Sequence, residues 1–386
     1  MTPAARLQAA IELLDAIVAS AADNGPAADT IIADWFRKRR YAGSGDRRAV
    51  RELVYRAIRG FGDPPESGRA AMAGLADGDP DLAAAFDGSG YGPAALTPEE
   101  PRAIPKAMPD WLGGLIDGAE HAALLERAPL DLRANRLKTT RDAMLAAFPG
   151  ASAFGTNCVR LDPPITIENR PEHRDGLIEV QDAGSQLAVA ACRATAGMVV
   201  VDLCAGGGGK TLALAADMAG KGRLIACDTD RTRLSKLSPR AARAGAVVED
   251  RLLDGERETA MLADLDGAAD VVLVDAPCSG CGTLRRNPEA RWRLSPERLD
   301  RVLAVQRHVL ALAAPVVRPG GALVYAVCSL IDAEGAGQAA NFLAAHPDWT
   351  AEPPFAEGCA RGPGRILSPS HDATDGFFVA RLVRPC

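Results

Sequence analysis

The sequence predicts an α/β fold: a doubly wound, mainly parallel sheet in its second half, preceded by a small α/β module and an all-helical N-terminal domain. Three observations carry this. From Gln181 onward, short apolar runs rich in β-branched residues alternate with amphipathic stretches, the order that builds parallel sheets. A glycine run, Gly206 to Gly209, follows the first apolar run, and Asp275-Ala276-Pro277-Cys278 follows a later one. Both therefore fall at carboxyl ends of strands, the edge where open α/β sheets hold their ligands.

Taken in order, residues 1 to about 62 read as helices, because Leu7, Ala10, Ile11, Leu14, Ile17 and Val18 keep helical spacing, as do Ala49, Leu53, Val54, Ala57 and Ile58. Between Gly62 and about Pro101 the composition shifts to Gly, Pro, Ala, Asp and Ser. A linker is expected there, enclosing one short helix over 79–86 with Asp79 as N-cap and Pro80 at N1. The spacing predicts a strand over 130–135, a helix over 140–148 begun by Thr140, and a strand over 176–180. In the second half strands are expected at 198–203, 223–227, 247–253, 270–274, 322–328 and 377–383. Helices are expected at 210–218, at 232–242 with a break at Pro239, and mostly helix at 332–346. Ser295-Pro296-Glu297 supplies a cap, a first-turn proline and an acid. It opens a helix carrying Leu299, Val302, Leu303, Gln306, Val309, Leu310 and Ala313. The expected division is 1–75 helical, 76–104 linker, 105–180 small α/β module and 181–386 catalytic domain.

With 386 residues, 47% of them hydrophobic, the chain has material for two or three cores. The first helix carries Arg6, Glu12 and Asp15 within its apolar pattern, so neither a signal peptide nor a membrane span is expected. Nine irregularly spaced cysteines without an export signal predict reduced thiols and a cytosolic location. Cys278 and Cys281 form a CxxC, but there is no second one and only five histidines, so no metal is expected. A net charge of −6 argues against a protein that coats nucleic acid indiscriminately. Two basic stretches nevertheless stand out: Arg37 to Arg59, and Arg285, Arg286, Arg291, Arg293, Arg298, Arg301 and Arg307. Each reads either as a solvated helix face or as a footprint for a phosphate backbone. A monomer without membrane contact is expected.

The glycine loop runs Asp202-Leu203-Cys204-Ala205-Gly206-Gly207-Gly208-Gly209-Lys210-Thr211. A P-loop needs glycine where Cys204 stands, and the dinucleotide fingerprint needs it at Thr211 or Leu212, so both fail. An acid at the strand end with Gly-x-Gly four residues later, Asp202 with Gly206 and Gly208, is the spacing of S-adenosylmethionine sites on Rossmann-like sheets. Glycines there let the backbone approach the cofactor, and the acid faces its ammonium group. Asp228, ending the next strand, is placed for ribose hydroxyls, and Asp254 for the adenine amine. Cys204, Ala205, Lys210 and Asp275 complete the candidate cofactor contacts.

A methyltransferase with a thiol beside an acid suggests a pyrimidine C5 as acceptor, since that carbon is not nucleophilic by itself. A thiolate adding to C6, with an acid at N3, makes C5 able to attack a methyl sulfonium. Asp275 is the candidate acid, and Cys278 and Cys328 are the two thiols at strand ends. An ordinary cysteine is only a few per cent thiolate at neutral pH, so full ionisation brings roughly 30-fold at most. Orientation and charge stabilisation must supply the rest. From the residues alone the thiol of the Pro-Cys pair, Cys278, would be the first choice of nucleophile.

Several stretches resemble the Sun (Nop2/Sun) family of RNA cytosine-5 methyltransferases: Gln181-Asp182-Ala183-Gly184-Ser185-Gln186, the loop 202–211, the stretch 275–289, Tyr325-Ala326-Val327-Cys328-Ser329-Leu330, and Asp375-Gly376-Phe377-Phe378. The segment 130–138 resembles the family's RNA-contacting module, and the N-terminal helices resemble its NusB-like RNA-binding domain more weakly. The resemblance implies that Cys328 forms the covalent adduct and that Cys278 assists product release, reversing the choice above. It implies ribosomal RNA of the small subunit as substrate, with transfer RNA, or a weakly active RNA-binding assembly role, as alternatives. Gly207 stands where the family has proline, Val327 and Cys281 where it has threonine, which puts rate and redox sensitivity in question.

Overall fold

The computed structural model describes residues 1–23 and 25–386. The chain divides into two compact units, Met1–Glu126 with Thr283–Pro296, and Arg127–Gly282 with Glu297–Cys386. Among the described residues no helix is long and apolar enough to cross a membrane.

The first unit is helical: α1 (Pro3–Ala22), α2 (Ala28–Lys38), α3 (Ser44–Gly60), α4 (Gly68–Ala76) and α5 (Pro80–Ala84) lead its elements. Thr2 opens α1 by accepting from Ala5 N at 3.1 Å, with Pro3 in the first turn, and Ser67 does the same for α4 with Ala70 N at 3.0 Å. Leu7, Ile11, Leu14 and Ile17 of α1 meet Ile32, Phe36, Val54 and Ile58 in one core. The expected linker at 76–104 is instead part of this unit. Asp79 caps α5 as predicted, but Ala85 and Phe86 are buried, Ala103 N donates to Ala70 O at 2.9 Å, and Glu100 pairs with Arg69 at 2.6 Å. Glycine and proline counts cannot separate a free tether from an irregular segment held to the fold by specific hydrogen bonds.

The surprise in this unit is the segment after Gly282. Trp292 joins the helical core and donates to Phe61 O at 2.8 Å. Arg291, 1% exposed, sends one guanidinium nitrogen to the carbonyls of Ile58, Arg59 and Phe61 at 2.6, 3.1 and 2.9 Å. These belong to the last turn of α3, whose carbonyls have no helical partner. Glu289 meanwhile accepts from Ala28 N at 3.1 Å, at the start of α2, and Arg293 donates to Gly25 O and Pro26 O, both at 2.7 Å. The second basic stretch is thus no continuous solvated or phosphate-binding face: Arg291 is spent on helix ends. In the first stretch, Arg37, Arg39, Arg51 and Arg56 are paired with acids.

The second unit holds two sheets. The smaller orders its strands β2-β3-β1-β4, from β1 (Leu130–Ala134), β2 (Ser152–Phe154), β3 (Cys158–Leu161) and β4 (Ile178–Val180), all antiparallel. Asn135 Nδ2 bridges Gly176 O and Ala244 O, each at 2.8 Å, and Glu179 takes both Arg240 and Arg243. The bonds to Ala244, Arg240 and Arg243 dock the small sheet on the helix Leu237–Ala244 that flanks the large one.

The large sheet comprises β5 (Val199–Asp202), β6 (Arg223–Asp228), β7 (Glu249–Leu252), β8 (Ala269–Asp275), β9 (Val317–Val327), β10 (Thr350–Glu352), β11 (Cys359–Arg361), β12 (Gly364–Leu367) and β13 (Phe377–Val383). Its order is β11-β12-β13-β9-β8-β5-β6-β7, with β10 on β13. Strands β5 to β9 pair in parallel, and the last four are antiparallel. Both faces are covered, as the unbroken apolar runs required. Val201, Val272, Val274, Leu323 and Tyr325 pack on Leu310 and Phe342, while Val200, Val271, Leu273 and Val324 pack on Val189 and Leu214. Pro239 does not break a helix. The chain breaks before it, between the helices Arg231–Leu234 and Leu237–Ala244, and Pro239 lies in the first turn of the second. From β5 the chain winds out to β6 and β7, then crosses back to β8 on the other side. The switch point lies between the carboxyl ends of β5 and β8.

Candidate active site

At that switch point the glycine loop leaves β5 for the helix Gly209–Asp217. Gly206 has φ +55° and Gly208 φ +85°, a region that favours glycine. A Cβ on Gly208 would stand 2.2 Å from Leu237 Cδ1, whereas one on Gly209 would meet nothing within 4 Å. Gly208→Ala is therefore expected to displace the loop and weaken S-adenosylmethionine binding by at least about tenfold in calorimetry. Gly209→Ala serves as the control and should bind normally. Gly207, where the resemblance led us to expect proline, has its carbonyl held by the Arg240 guanidinium, a tether that the loop gains in another way.

The strand-end acids are engaged differently from one another. Asp228 accepts Gly206 N and Asp230 N, both at 2.7 Å, and so shapes the loop. Asp254 is exposed just past β7. Asp202 is fully buried. Its Oδ2 accepts from Thr211 Oγ1 at 2.6 Å, and its Oδ1 has no partner among the described residues. Burial pushes this carboxyl up to about 7, against the pull of the Thr211 bond. Cys204 is also pushed well up, by burial and then by the charge of Asp202. Ala205 N is taken by Cys227 O at 2.9 Å, which fastens the loop to β6. Lys210 donates to Asp275 Oδ2 at 2.7 Å. Burial alone would lower that ammonium, but the charges of Asp275 and Cys328 hold it up.

Beside this pair lie the thiols. Cys278 Sγ and Cys328 Sγ are 3.3 Å apart at the ends of neighbouring strands, β8 and β9, and both are partly exposed. The hydrogen bond with Cys328, burial, and the charges of Cys328 and Glu334 all push the Cys278 thiol well up. Cys281 takes no part in the pair. It is buried, 3.2 Å from Ser329 Oγ, and accepts from Leu330 N at 3.3 Å. The CxxC is a coincidence of spacing, and the thiols that meet are fifty residues apart in sequence. Gly282 and Gly376 set the geometry of the loop: Gly376 N donates to Gly282 O at 2.8 Å, and a Cβ on Gly282 would sit 2.1 Å from Gly376 O.

Sequence reasoning missed the polar group beneath the thiols, Ser279, Ser329, Gln306 and Glu334. A signal was present in the repeated Cys-Ser of Cys278-Ser279 and Cys328-Ser329, and in Gln306 as a lone amide on an otherwise apolar helix face.

The residues at the β5–β8 edge fit S-adenosylmethionine: glycines that leave the backbone bare, an orphaned carboxylate oxygen on Asp202, and further acids ending β6 and β8. Residues 191–383 match the family model described as 16S rRNA methyltransferase RsmB/F. The ribosomal RNA small subunit methyltransferase B of Sodalis glossinidius is 32% identical over 305 residues, 76% of this chain and 69% of that one. That of Erwinia tasmaniensis is 34% identical over 265 residues, 67% of this chain and 60% of its own length. Among solved structures, a methyltransferase homolog from Pyrococcus horikoshii superposes with TM-score 0.59 at 26% identity, covering 70% of this chain and 92% of that one. NSun6 from Pyrococcus horikoshii, solved with SFG, superposes with TM-score 0.64 at 18% identity, over 72% of this chain and 98% of that chain.

Proposed function

The chain belongs to the 16S rRNA methyltransferase RsmB/F family, and from that premise we propose that it methylates C5 of a cytosine in RNA, 16S ribosomal RNA first, through a covalent adduct of Cys328 with C6. It is an RNA methyltransferase that uses S-adenosylmethionine. Asp202, Asp228, Asp254, Asp275, Lys210 and the backbone from Cys204 to Gly208 are the groups we assign to holding that cofactor, which supplies an electrophilic methyl on a sulfonium.

The observation that carries the reading is the pair of thiols 3.3 Å apart beside the Lys210–Asp275 ion pair. The Cys328 thiolate forms a bond to C6, the C5–C6 π pair becomes a C4–C5 double bond, and the C4–N3 π pair settles on N3, which takes a proton from solvent relayed through the Asp275 carboxyl. The electron density returned to C5 makes that carbon the nucleophile. After methylation a base takes the C5 proton, the C5–C6 double bond re-forms and the sulfur–C6 bond breaks. Cys278, adjacent to the departing sulfur, assists this last stage. Lys210 keeps Asp275 oriented, so the acid need not be reordered during the reaction.

Bisulfite sequencing of cellular RNA with and without the protein tests the reading. Protection of one cytosine of 16S rRNA that disappears with the protein is the expected result. A mark on transfer RNA would move the substrate, and a methylated atom other than C5 would sink the proposal.

A further inference from the structure

Glu334 is fully buried, and four donors converge on its carboxylate. Ser279 N and Gln306 Nε2 reach Oε1 at 2.7 and 3.1 Å. Ser279 Oγ and Ser329 Oγ reach Oε2 at 2.5 and 2.6 Å. Its main-chain carbonyl takes the Tyr325 hydroxyl at 2.6 Å, and Gln306 also donates to Pro277 O at 3.0 Å. A buried carboxylate needs such a shell to persist. The shell is unusual in its addresses: Pro277 and Ser279 flank Cys278 on either side, and Ser329 follows Cys328.

The surrounding charge is asymmetric. Among the groups that push the Cys278 thiol up are Cys328 and Glu334, neither of which carries positive charge. On the Cys328 side stands the Lys210 ammonium, itself paired with Asp275. Two thiols this close lose their protons as a pair.

We propose that Glu334 is the positioning residue of the thiol pair: it holds the Cys278 loop and the Cys328 strand end together through Ser279 and Ser329, and its charge opposes a second negative charge on Cys278. This rests on the two-thiol reading above. It also orders the reaction. Once the Cys328 sulfur is bonded to C6 it is a neutral thioether, its charge and its hydrogen bond to Cys278 are gone, and Cys278 becomes free to ionise for the release stage. Glu334 and Cys328 together thus hold Cys278 back until Cys328 has been used.

The test is alkylation of the full chain by iodoacetamide across pH, in the absence of RNA and cofactor, with Cys278 and Cys328 followed separately by mass spectrometry. Wild type should react at Cys328 first. Glu334→Gln keeps the shape and removes the charge, so Cys278 should react at a pH lower by about one unit, or about tenfold faster at fixed pH. The kcat for methyl transfer should fall with KM for RNA unchanged. Glu334→Asp, which keeps the charge but shortens the reach, should preserve Cys328-first alkylation with a reduced kcat, and it decides the matter if Glu334→Gln does not fold. Superimposable wild-type and Glu334→Gln profiles, or joint alkylation of both thiols in Glu334→Asp, would overturn the proposal. Because alkylation needs neither substrate, an absence of C5 methylation in wild type would sink the functional reading while leaving this one decided by the thiol profiles.

Discussion

Cys328→Ala is expected to lose methyl transfer by at least about a thousandfold, because the proposed mechanism runs through the bond from Cys328 to C6. Cys278→Ala is expected to behave differently. It leaves Cys328 able to attack but removes the neighbour 3.3 Å away that assists release, so RNA should remain attached to the protein as a band of reduced mobility on a denaturing gel. Labelled RNA makes the complex visible, and melting curves show whether both variants remain folded. A trapped complex from Cys328→Ala, with none from Cys278→Ala, would exchange the two roles. The residues alone favoured the thiol after proline. The assignment to Cys328 came from family resemblance, and the two variants decide it.

Arg291→Met should be the most damaging change in the helical unit. The side chain is 1% exposed, and burial draws its guanidinium down to about 10, so it remains charged at neutral pH. It satisfies three carbonyls at the end of α3 and that of Pro288 at 3.1 Å. Methionine fills comparable space but removes the guanidinium bonds to those carbonyls, of which Phe61 O keeps a donor, from Trp292, and this should cost about 3–5 kcal/mol. Thermal unfolding monitored by circular dichroism and the protease sensitivity of α3 report the loss. Arg291→Lys should recover only part of it, since one ammonium cannot reproduce a planar fork. A melting temperature within about a degree of wild type would remove the helix-end role.

Much of the architecture was legible in advance. The strand over 377–383 was predicted at the positions observed, and the predicted cap Thr140 accepts from Ala143 N at 3.2 Å. These features depend on local period and on one residue's reach, both visible in a linear chain. The short strands β2, β3, β10, β11 and β12 were not predicted. With three or four residues each, they owe their existence to neighbours they pair with rather than to their own pattern. The segment from Thr283 to Pro296 reads as a basic loop of the catalytic half, yet it is built into the N-terminal unit. A guanidinium facing water and one facing helix carbonyls have the same letter.

The sequence by itself determined the α/β class and placed the candidate cofactor loop and both candidate thiols at the carboxyl edge of the sheet, because period, strand ends and residue type are local properties. Only the tertiary structure decided that Cys278 pairs with Cys328 and not with Cys281, that Glu334 and Gln306 bind the two loops from below, and that Arg291 serves a helix end. Each of those facts is a contact between residues distant in the chain. Such contacts are set by which strands become neighbours in the sheet and which buried polar groups must find one another, and spacing along the chain does not encode either.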